Sequence, residues 1–492
     1  METEVIIHKP LRHIDILAKL LDKVRPIDFR ELIGEEDEKI KTRHLLILTV
    51  EEILRLAADN NWGMCQRNAC IYLYNGTFWS KVFDEEMEIF LGKASEKMGI
   101  NSFTARHYPF RDMLLKEFRT LAHLPSATQP DNAVMINLQN GTYEINGMGG
   151  YLRQFAAEDF LTYQLPFAYN DQAEAPIFKR YLDRVLPDAT LQGILSEFLG
   201  YVFIQTGTLK LEKALILYGT GANGKSVFFD VISALLGSGN VSSYSLQSLT
   251  NESGYYRAML ADKLLNYASE INGSLEASIF KQLVSGEPVE ARLPYKDPFM
   301  LTNYAKLIFN CNSLPRDVEH TQAYFRRFLI IPFNVTIPEE EQDPELAQKI
   351  IASELAGVFN WVLAGLGRVL KQRGFTHSDV IRQQVDEYQR TSDSVGMFLY
   401  DNDYVRSTKN QRTMLLKDLY AEYKGYCLED GFRALSKANF QQRLKYLRYV
   451  IDKDKYGNKV YIEKEQENHT EPLPVNGYSN IDNANSDDQL PF

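Results

Sequence analysis

Cysteine is scarce in this 492-residue chain: it has 4, Cys65, Cys70, Cys311 and Cys427, and none of them pair as C-x-x-C. That spacing excludes a zinc ribbon and a disulfide framework, and the thiols read as reduced and buried in a cytosolic protein. Long apolar runs are missing too. None approaches the roughly 18 residues of a membrane-crossing helix, so no membrane partner is expected. The opening METEVIIHKPLRHID lacks the layout of a secretory signal. Positive charge is in deficit, with 54 Lys and Arg against 65 Asp and Glu and a net charge of −11. A protein coated in basic surface is thereby excluded. A local nucleic-acid groove is not, because only the local field matters there. No internal repeat is visible, nor the separated carboxylates on a large sheet that a primer-synthesising site needs, so primer synthesis is not expected. What is present, 45% hydrophobic and 12% aromatic residues, is ample core for a globular protein of about two to four domains.

The chain is organised around Leu215–Leu236, LILYGTGANGKSVFFDVISALL. A short apolar run, Ala214 to Tyr218, reads as a buried strand. Gly219, Thr220, Gly221, Ala222, Asn223, Gly224, Lys225 and Ser226 then fit G-x-x-x-x-G-K-[ST] in full. Val227, Phe228, Val231, Ile232, Leu235 and Leu236 follow at helical spacing, stopped by Gly237. Strand, glycine loop and helix together predict a phosphate site for a nucleoside triphosphate. Glycines let backbone N–H groups curl round phosphates, and the helix N-terminus adds partial positive charge. Lys225 is expected to reach the β- and γ-phosphates and Ser226 to hold Mg²⁺. The nucleotide-binding set is therefore residues 219 to 226 with Val227.

Such a site needs a carboxylate near a neighbouring strand end, and Lys263 to Glu270 supplies a strand-like run ending in Glu270. Tyr304 to Asn312 is a further strand; Asn312, with Asn310 second, is the polar residue placed to orient an attacking water. Arg326 and Arg327 directly precede the strand-like FLIIPF and suit an arginine finger from a neighbouring subunit. Salt-bridging surface arginines are the plain alternative.

Before this core, residues 1–45 read as a charged, solvated lead. Residues 46–194 read as a mixed α+β region. In it, Thr49 and Glu52 suggest a capping box opening a helix, and hairpins are expected around Asn75-Gly76 and Asn140-Gly141. Asp84, Glu85 and Glu86 read as the acidic first turn of a helix rather than a metal site. Residues 151–213 read as helical. The core and a helical lid occupy 195–375. Residues 376–465 read as a helical linker followed by helix, helix and hairpin, the layout of a winged-helix domain. Its second helix carries Lys437, Arg443 and Lys445, expected to meet DNA phosphates, with a solvated protein-docking domain as the alternative. Residues 466–492 read as a disordered acidic tail. Its tip, Leu490, Pro491 and Phe492 behind two aspartates, resembles the acidic tip of bacterial single-stranded-DNA-binding proteins, which implies host replication proteins as partners.

GTGANGKS, NYASEI, LIFNCNSLP and YFRRFLIIPF occur in an order that resembles superfamily 3 DNA helicases of the phage and plasmid type, similar to the helicase half of poxvirus primase–helicases. The resemblance spans roughly residues 45 to 465. It implies an α/β fold with a P-loop AAA+-like motor, a hexameric ring around DNA, and ATP with Mg²⁺ at the subunit interfaces. On it, Lys225, Glu270, Asn312 and Arg327 are catalytic, with Ser226 and Glu270 on the metal. Tyr295 and Lys296 fall where the family carries a DNA-contacting hairpin, a ring for stacking beside a charge for phosphate. Lys281 and Arg292 are weaker interface candidates. Ser269-Glu270 replaces the acidic pair of many relatives, so metal positioning rests on one carboxylate.

The expected protein is an ATP-dependent replicative helicase of a phage or mobile element in bacterial cytoplasm, moving 3′→5′ by resemblance, with a separate primase as a possible partner. The alternatives are an origin-melting loader ring without processive unwinding, or a DNA-binding scaffold with a vestigial P-loop.

Overall fold

The computed structural model describes residues 11–33, 39–67, 70–123, 133–146, 149–206, 208–269, 271, 275–316, 318–407 and 412–464. Glu270, Leu490, Pro491 and Phe492 lie outside the described residues. The chain divides into two compact units, Met1–Ser392 and Asp393–Phe492.

The first unit opens with α1 (His13–Lys23), α2 (Phe29–Ile33) and α3 (Thr42–Asp59). The expected solvated lead is a packed helix instead. Ile16, Leu17 and Leu20 form one stripe of α1, buried in a core shared with Val50, Met87 and Leu114. The expected capping box is also corrected, because Thr49 lies inside α3 and is buried. Leu46, Val50, Ile53 and Ala57 recur on one face, and burying that stripe carries the helix a further seven residues upstream of the polar signal. An antiparallel sheet follows, β1 (Gly63–Arg67), β2 (Cys70–Tyr74) and β3 (Trp79–Val82). Its tight turn is held by Asn75 Oδ1, which accepts from the N–H groups of Thr77 at 3.0 Å and Phe78 at 2.9 Å. Next come α4 (Asp84–Lys97), α5 (Ser102–Arg106) and α6 (Tyr108–Leu121). Asp84, in the acidic first turn, pairs with Arg119 at 2.7 Å.

The second antiparallel sheet is β4 (Val134–Leu138), β5 (Gly141–Asn146) and β6 (Gly149–Arg153). The expected helix over 151–213 is only partly present, as α7 (Pro176–Val185) and α8 (Ala189–Tyr201). The stretch before α7 is irregular because side chains replace the helical ladder. Asn140, for example, bonds both the N–H and the C=O of Tyr169.

A parallel sheet then forms the centre of the unit. In chain order come β7 (Ala214–Tyr218), α9 (Lys225–Leu236), β8 (Val241–Ser242), α10 (Leu246–Thr250), α11 (Tyr255–Ala258), β9 (Leu265–Ala268) and α12 (Ala277–Ser285). The hairpin β10 (Val289–Ala291) and β11 (Phe299–Leu301) follows, then β12 (Lys306–Cys311), α13 (Gln322–Phe325) and β13 (Phe328–Pro332). The 5-stranded order is β13-β7-β12-β9-β8, every pair parallel. Side chains alternate between two cores. Leu215, Leu217, Ile308, Leu329 and Ile331 enter one face. Ala214, Ile216, Leu307, Phe309 and Ile330 enter the other. Burial on both faces explains why these strands are continuous apolar runs. The first face is covered by α8 and α9 and by α14 (Leu346–Ser353) and α15 (Leu355–Gln372); α16 (Asp379–Thr391) closes the unit. Among the described residues, no single helix is long and apolar enough to cross a membrane.

The second unit has its own core, with Phe398, Leu419, Tyr423, Phe440, Leu444 and Val460 at its centre. Its elements are α17 (Ser394–Asp401), β14 (Tyr404–Arg406), β15 (Thr413–Leu415), α18 (Leu416–Glu429), α19 (Lys437–Tyr446), β16 (Ile451–Asp454) and β17 (Gly457–Lys464). Strands β14, β15 and β16 all pair antiparallel with β17.

Candidate functional site

Ligands of parallel α/β sheets bind beyond the carboxyl ends of the strands. At that rim Tyr218 of β7 is level with Cys311 of β12 and Pro332 of β13. The glycine loop leaves from Tyr218, and its neighbours tie it down. Gly219 N–H donates to the Cys311 carbonyl at 3.0 Å, and Ile337 N–H to the Ala222 carbonyl at 2.7 Å. Asn223 Nδ2 donates to the Phe333 carbonyl at 3.1 Å. Gly221, Ala222 and Gly224 have φ of +115°, +49° and +83°, the left-handed backbone that curls the loop. A Cβ on Gly219 would lie 2.2 Å from Asn223 Nδ2 and 2.5 Å from the Phe333 carbonyl oxygen, so no other residue fits there.

Lys225 begins α9 and is 6% exposed. Its Nζ donates to the Gly219 carbonyl at 2.7 Å and to Asn223 Oδ1 at 2.9 Å. Both acceptors are neutral, and burial pulls the ammonium below the usual lysine range. A cation held among neutral oxygens at a helix N-terminus is ready to receive an anion. Thr220, Ala222 and Ser226 are solvent-exposed on the same loop, and Val227 is half-buried behind them.

Asn312 is exposed one residue beyond β12, next to the loop that Cys311 anchors. Asn310 is buried and accepts from the Tyr267 hydroxyl at 3.0 Å, so of the two only Asn312 faces solvent. Strand β9 ends at Ala268, level with Phe309; Glu270 is outside the described residues.

The arginines are elsewhere. The Arg327 carbonyl accepts from the N–H of Ala214, at the start of β7. They therefore sit on the opposite rim, five strand residues or about 16 Å from the glycine loop. The expected role of Arg327 as a finger is corrected here. Its side chain is 9% exposed and lies 3.3 Å from Glu212. It also donates to Ser285 Oγ at 3.0 Å and to the Ala323 carbonyl. Its guanidinium is thus engaged by groups of its own chain. Arg326, 57% exposed and paired with Glu212 at 2.6 Å, is the one that faces outward. Lys281 is held by both oxygens of Glu319.

Tyr295 and Lys296 lie in the loop joining β10 to β11, both solvent-exposed, with Tyr295 at φ +59°. Arg292 Nε donates to the Lys296 carbonyl at 3.1 Å and so braces the loop. In the second unit Lys437 and Lys445 are exposed on α19. Arg443 is corrected: it is buried against Asp393, 2.7 Å away, with each side chain 9% exposed, and cannot meet a phosphate. Among the described residues no cluster of His, Cys, Asp and Glu could hold a metal ion.

One participant escaped the sequence reading. Tyr181 of α7 donates its hydroxyl to the Gly224 carbonyl at 2.8 Å. In sequence it is one apolar-face residue among Phe178, Leu182 and Val185, with nothing to single it out.

Residues 30–187 match a family described as D5 N terminal like. Residues 217–327, from the end of β7 to the arginine pair, match a family of unknown function, DUF5906. The chain is similar to a protein of Acanthamoeba polyphaga mimivirus named "Putative helicase L207/L206", 22% identical over 358 residues. That match covers 65% of this chain and only 36% of the viral protein. Among solved structures, the apo C-terminal region of NrS-1 aligns at a TM-score of 0.47 and 13% identity, over 85% of this chain and 98% of that one. A second apo form aligns at 0.46 and 13%, over 83% and 97%.

Proposed function

We propose that this chain is an ATP-hydrolysing DNA motor of a replication protein, a P-loop helicase of the superfamily 3 type with an AAA+-like core and a C-terminal winged-helix domain. The observation that carries the reading is the Lys225 ammonium, buried between the Gly219 carbonyl and the Asn223 amide inside a loop curled by Gly221, Ala222 and Gly224. The viral relative named as a helicase and the D5 N terminal-like region support the same class.

In this reading the N–H groups of the loop and of the first turn of α9 bind the phosphates, and Lys225 leaves its two neutral acceptors to pair with them. Mg²⁺, carried in with the nucleotide, supplies charge neutralisation of the phosphates. The Ser226 hydroxyl, exposed in the first turn of α9, is the oxygen this chain would offer it. Asn312 orients water at the same rim. Tyr295 and Lys296 present a stacking ring and a charge to single-stranded DNA, and Lys437 and Lys445 contact backbone phosphate. An arginine on the far rim cannot serve its own loop, so Arg326 acts on the nucleotide of a second copy in a ring.

The test is ATP hydrolysis by wild type and Lys225→Ala, with and without single-stranded DNA, on protein sized by light scattering. DNA-stimulated turnover in an oligomer, lost in Lys225→Ala, is the expected result. Absence of turnover with DNA present would overturn the motor reading.

A further inference from the structure

We propose that α7 is a strut that sets the glycine loop from behind, and that Tyr181 is the positioning residue through which it acts. The inference rests on the nucleotide-binding reading above and adds to it the part of the chain that tunes the site.

One end of the strut is fixed on the corner between α14 and α15. The N–H groups of Ile177 and Phe178, which no helical carbonyl can satisfy, donate to the two carboxylate oxygens of Glu354 at 2.9 and 2.8 Å. Glu354 is 4% exposed and is the residue on which α15 starts. Phe178 also meets the Trp361 ring of α15 edge-on, with centroids 5.3 Å apart.

The other end presses on the loop. A Cβ on Gly224 would lie 2.6 Å from Val185 Cγ1 and 3.1 Å from the Tyr181 ring, so helix and loop touch with no room between them. Here Tyr181 gives its hydroxyl proton to the Gly224 carbonyl. The phenol is buried, and burial holds it protonated, so its proton is available to that carbonyl. The carbonyl also accepts from Phe228 N–H at 3.1 Å, the first bond of α9.

The consequence follows from peptide geometry. The Gly224 carbonyl belongs to the same rigid, trans peptide as the Lys225 N–H, and the two point in opposite directions. Fixing the carbonyl toward α7 turns the Lys225 N–H to the other side of the loop. Tyr181 therefore orients a backbone donor at the start of α9. It does so from a helix inside the span that matches the D5 N terminal-like family, not the span that carries the glycine loop. Movement of the α14–α15 corner would reach the nucleotide loop by the same route.

The experiment compares wild type, Tyr181→Phe, Glu354→Gln and Lys225→Ala as full chains. Binding of a fluorescent ATP analogue, steady-state ATP turnover and thermal unfolding are all measured. Tyr181→Phe keeps the ring and its packing and removes one donor, and Phe228 still satisfies the carbonyl, so the unfolding temperature should hardly move. Nucleotide Kd and KM should rise about fivefold, the worth of one neutral hydrogen bond, with kcat within about twofold. Glu354→Gln should weaken binding in the same sense by about two- to threefold. Unchanged Kd in Tyr181→Phe, while Lys225→Ala loses binding, overturns the strut. So does a Kd that worsens only in step with a fall in unfolding temperature, which marks a purely structural bond. If wild type and Lys225→Ala bind alike, the nucleotide-site reading fails first and the strut with it.

Discussion

Lys225 of α9 and Lys306 of β12 are both lysines whose ammonium burial pulls down, and they differ in use. Lys225 lies at the glycine loop, where the proposed phosphates would pair with it. Lys306, at the opposite end of β12, has its Nζ 4.4 Å above the Tyr201 ring, and burial pulls its ammonium down to about 8. An unfolded lysine keeps its proton to about 10.4. Below pH 8 both states carry the charge, and the folded state bears the full burial cost. Between about 8 and 10.4 the unfolded state binds more protons, so stability rises with pH until the cost is gone. Lys306→Met removes that cost, of the order of 3 kcal/mol, less about 1 kcal/mol of lost ring contact. The variant should therefore resist urea better than wild type at pH 7, and the difference should close by pH 10.5. A pH-independent difference would show that the ammonium is not the cause. Arg326 and Arg327 teach the same lesson about reading single residues. They are adjacent, chemically identical letters that share Glu212, and only the side on which Ser285 and the Ala323 carbonyl lie decides which is enclosed.

Helix α19 separates structural from surface charge within ten residues. Arg443 is paired with Asp393 in the interior, and Lys437 and Lys445 stand in solvent. Arg443→Ala strands a buried carboxylate and should destabilise the second unit by about 3–5 kcal/mol. Lys445→Ala should leave its unfolding unchanged and weaken DNA binding instead, lowering the slope of log affinity against log salt by about 1. Measuring both properties on both variants checks the division, and a salt-slope change in Arg443→Ala with normal unfolding would reverse the roles. At this scale the strand, glycine loop and α9 were legible, because the apolar period changes from continuous to helical across the glycines. In the second unit the two helices and the hairpin were legible, but the short strands β14 and β15 were not. The packing of α1 and the true start of α3 were not. Their polar flanks signal solvent and a cap, and only the partner faces of α4 and α6 turn Ile16, Leu46 and Val50 inward. The role of α7 was hidden because a core tyrosine and a positioning tyrosine look alike until Gly224 is seen beside it.

In the parallel sheet of the whole first unit, every strand places its carboxyl end on one rim and its amino end on the other. The glycine loop and Asn312 share the first rim, and Arg326 stands on the second, so a single copy cannot bring phosphate and arginine together. The proposed ring would resolve this, because neighbours can face opposite rims. Lys225→Ala spoils the loop of its own copy, and Arg326→Ala spoils what that copy offers to the next. Each variant alone should lose most ATP turnover. Mixed in equal amounts and allowed to exchange, they form some junctions between an intact loop and an intact arginine, about a quarter of all junctions by random assembly. Turnover of the mixture should therefore recover toward about a quarter of wild type when junctions fire independently, and less when they are coupled. If Arg326 instead acted within its own copy, every subunit in the mixture would still carry one defect, and activity would stay at the level of the separate variants. Neither substitution touches Tyr295 or Lys296, so DNA binding measured in parallel serves as the control for the nucleotide junction.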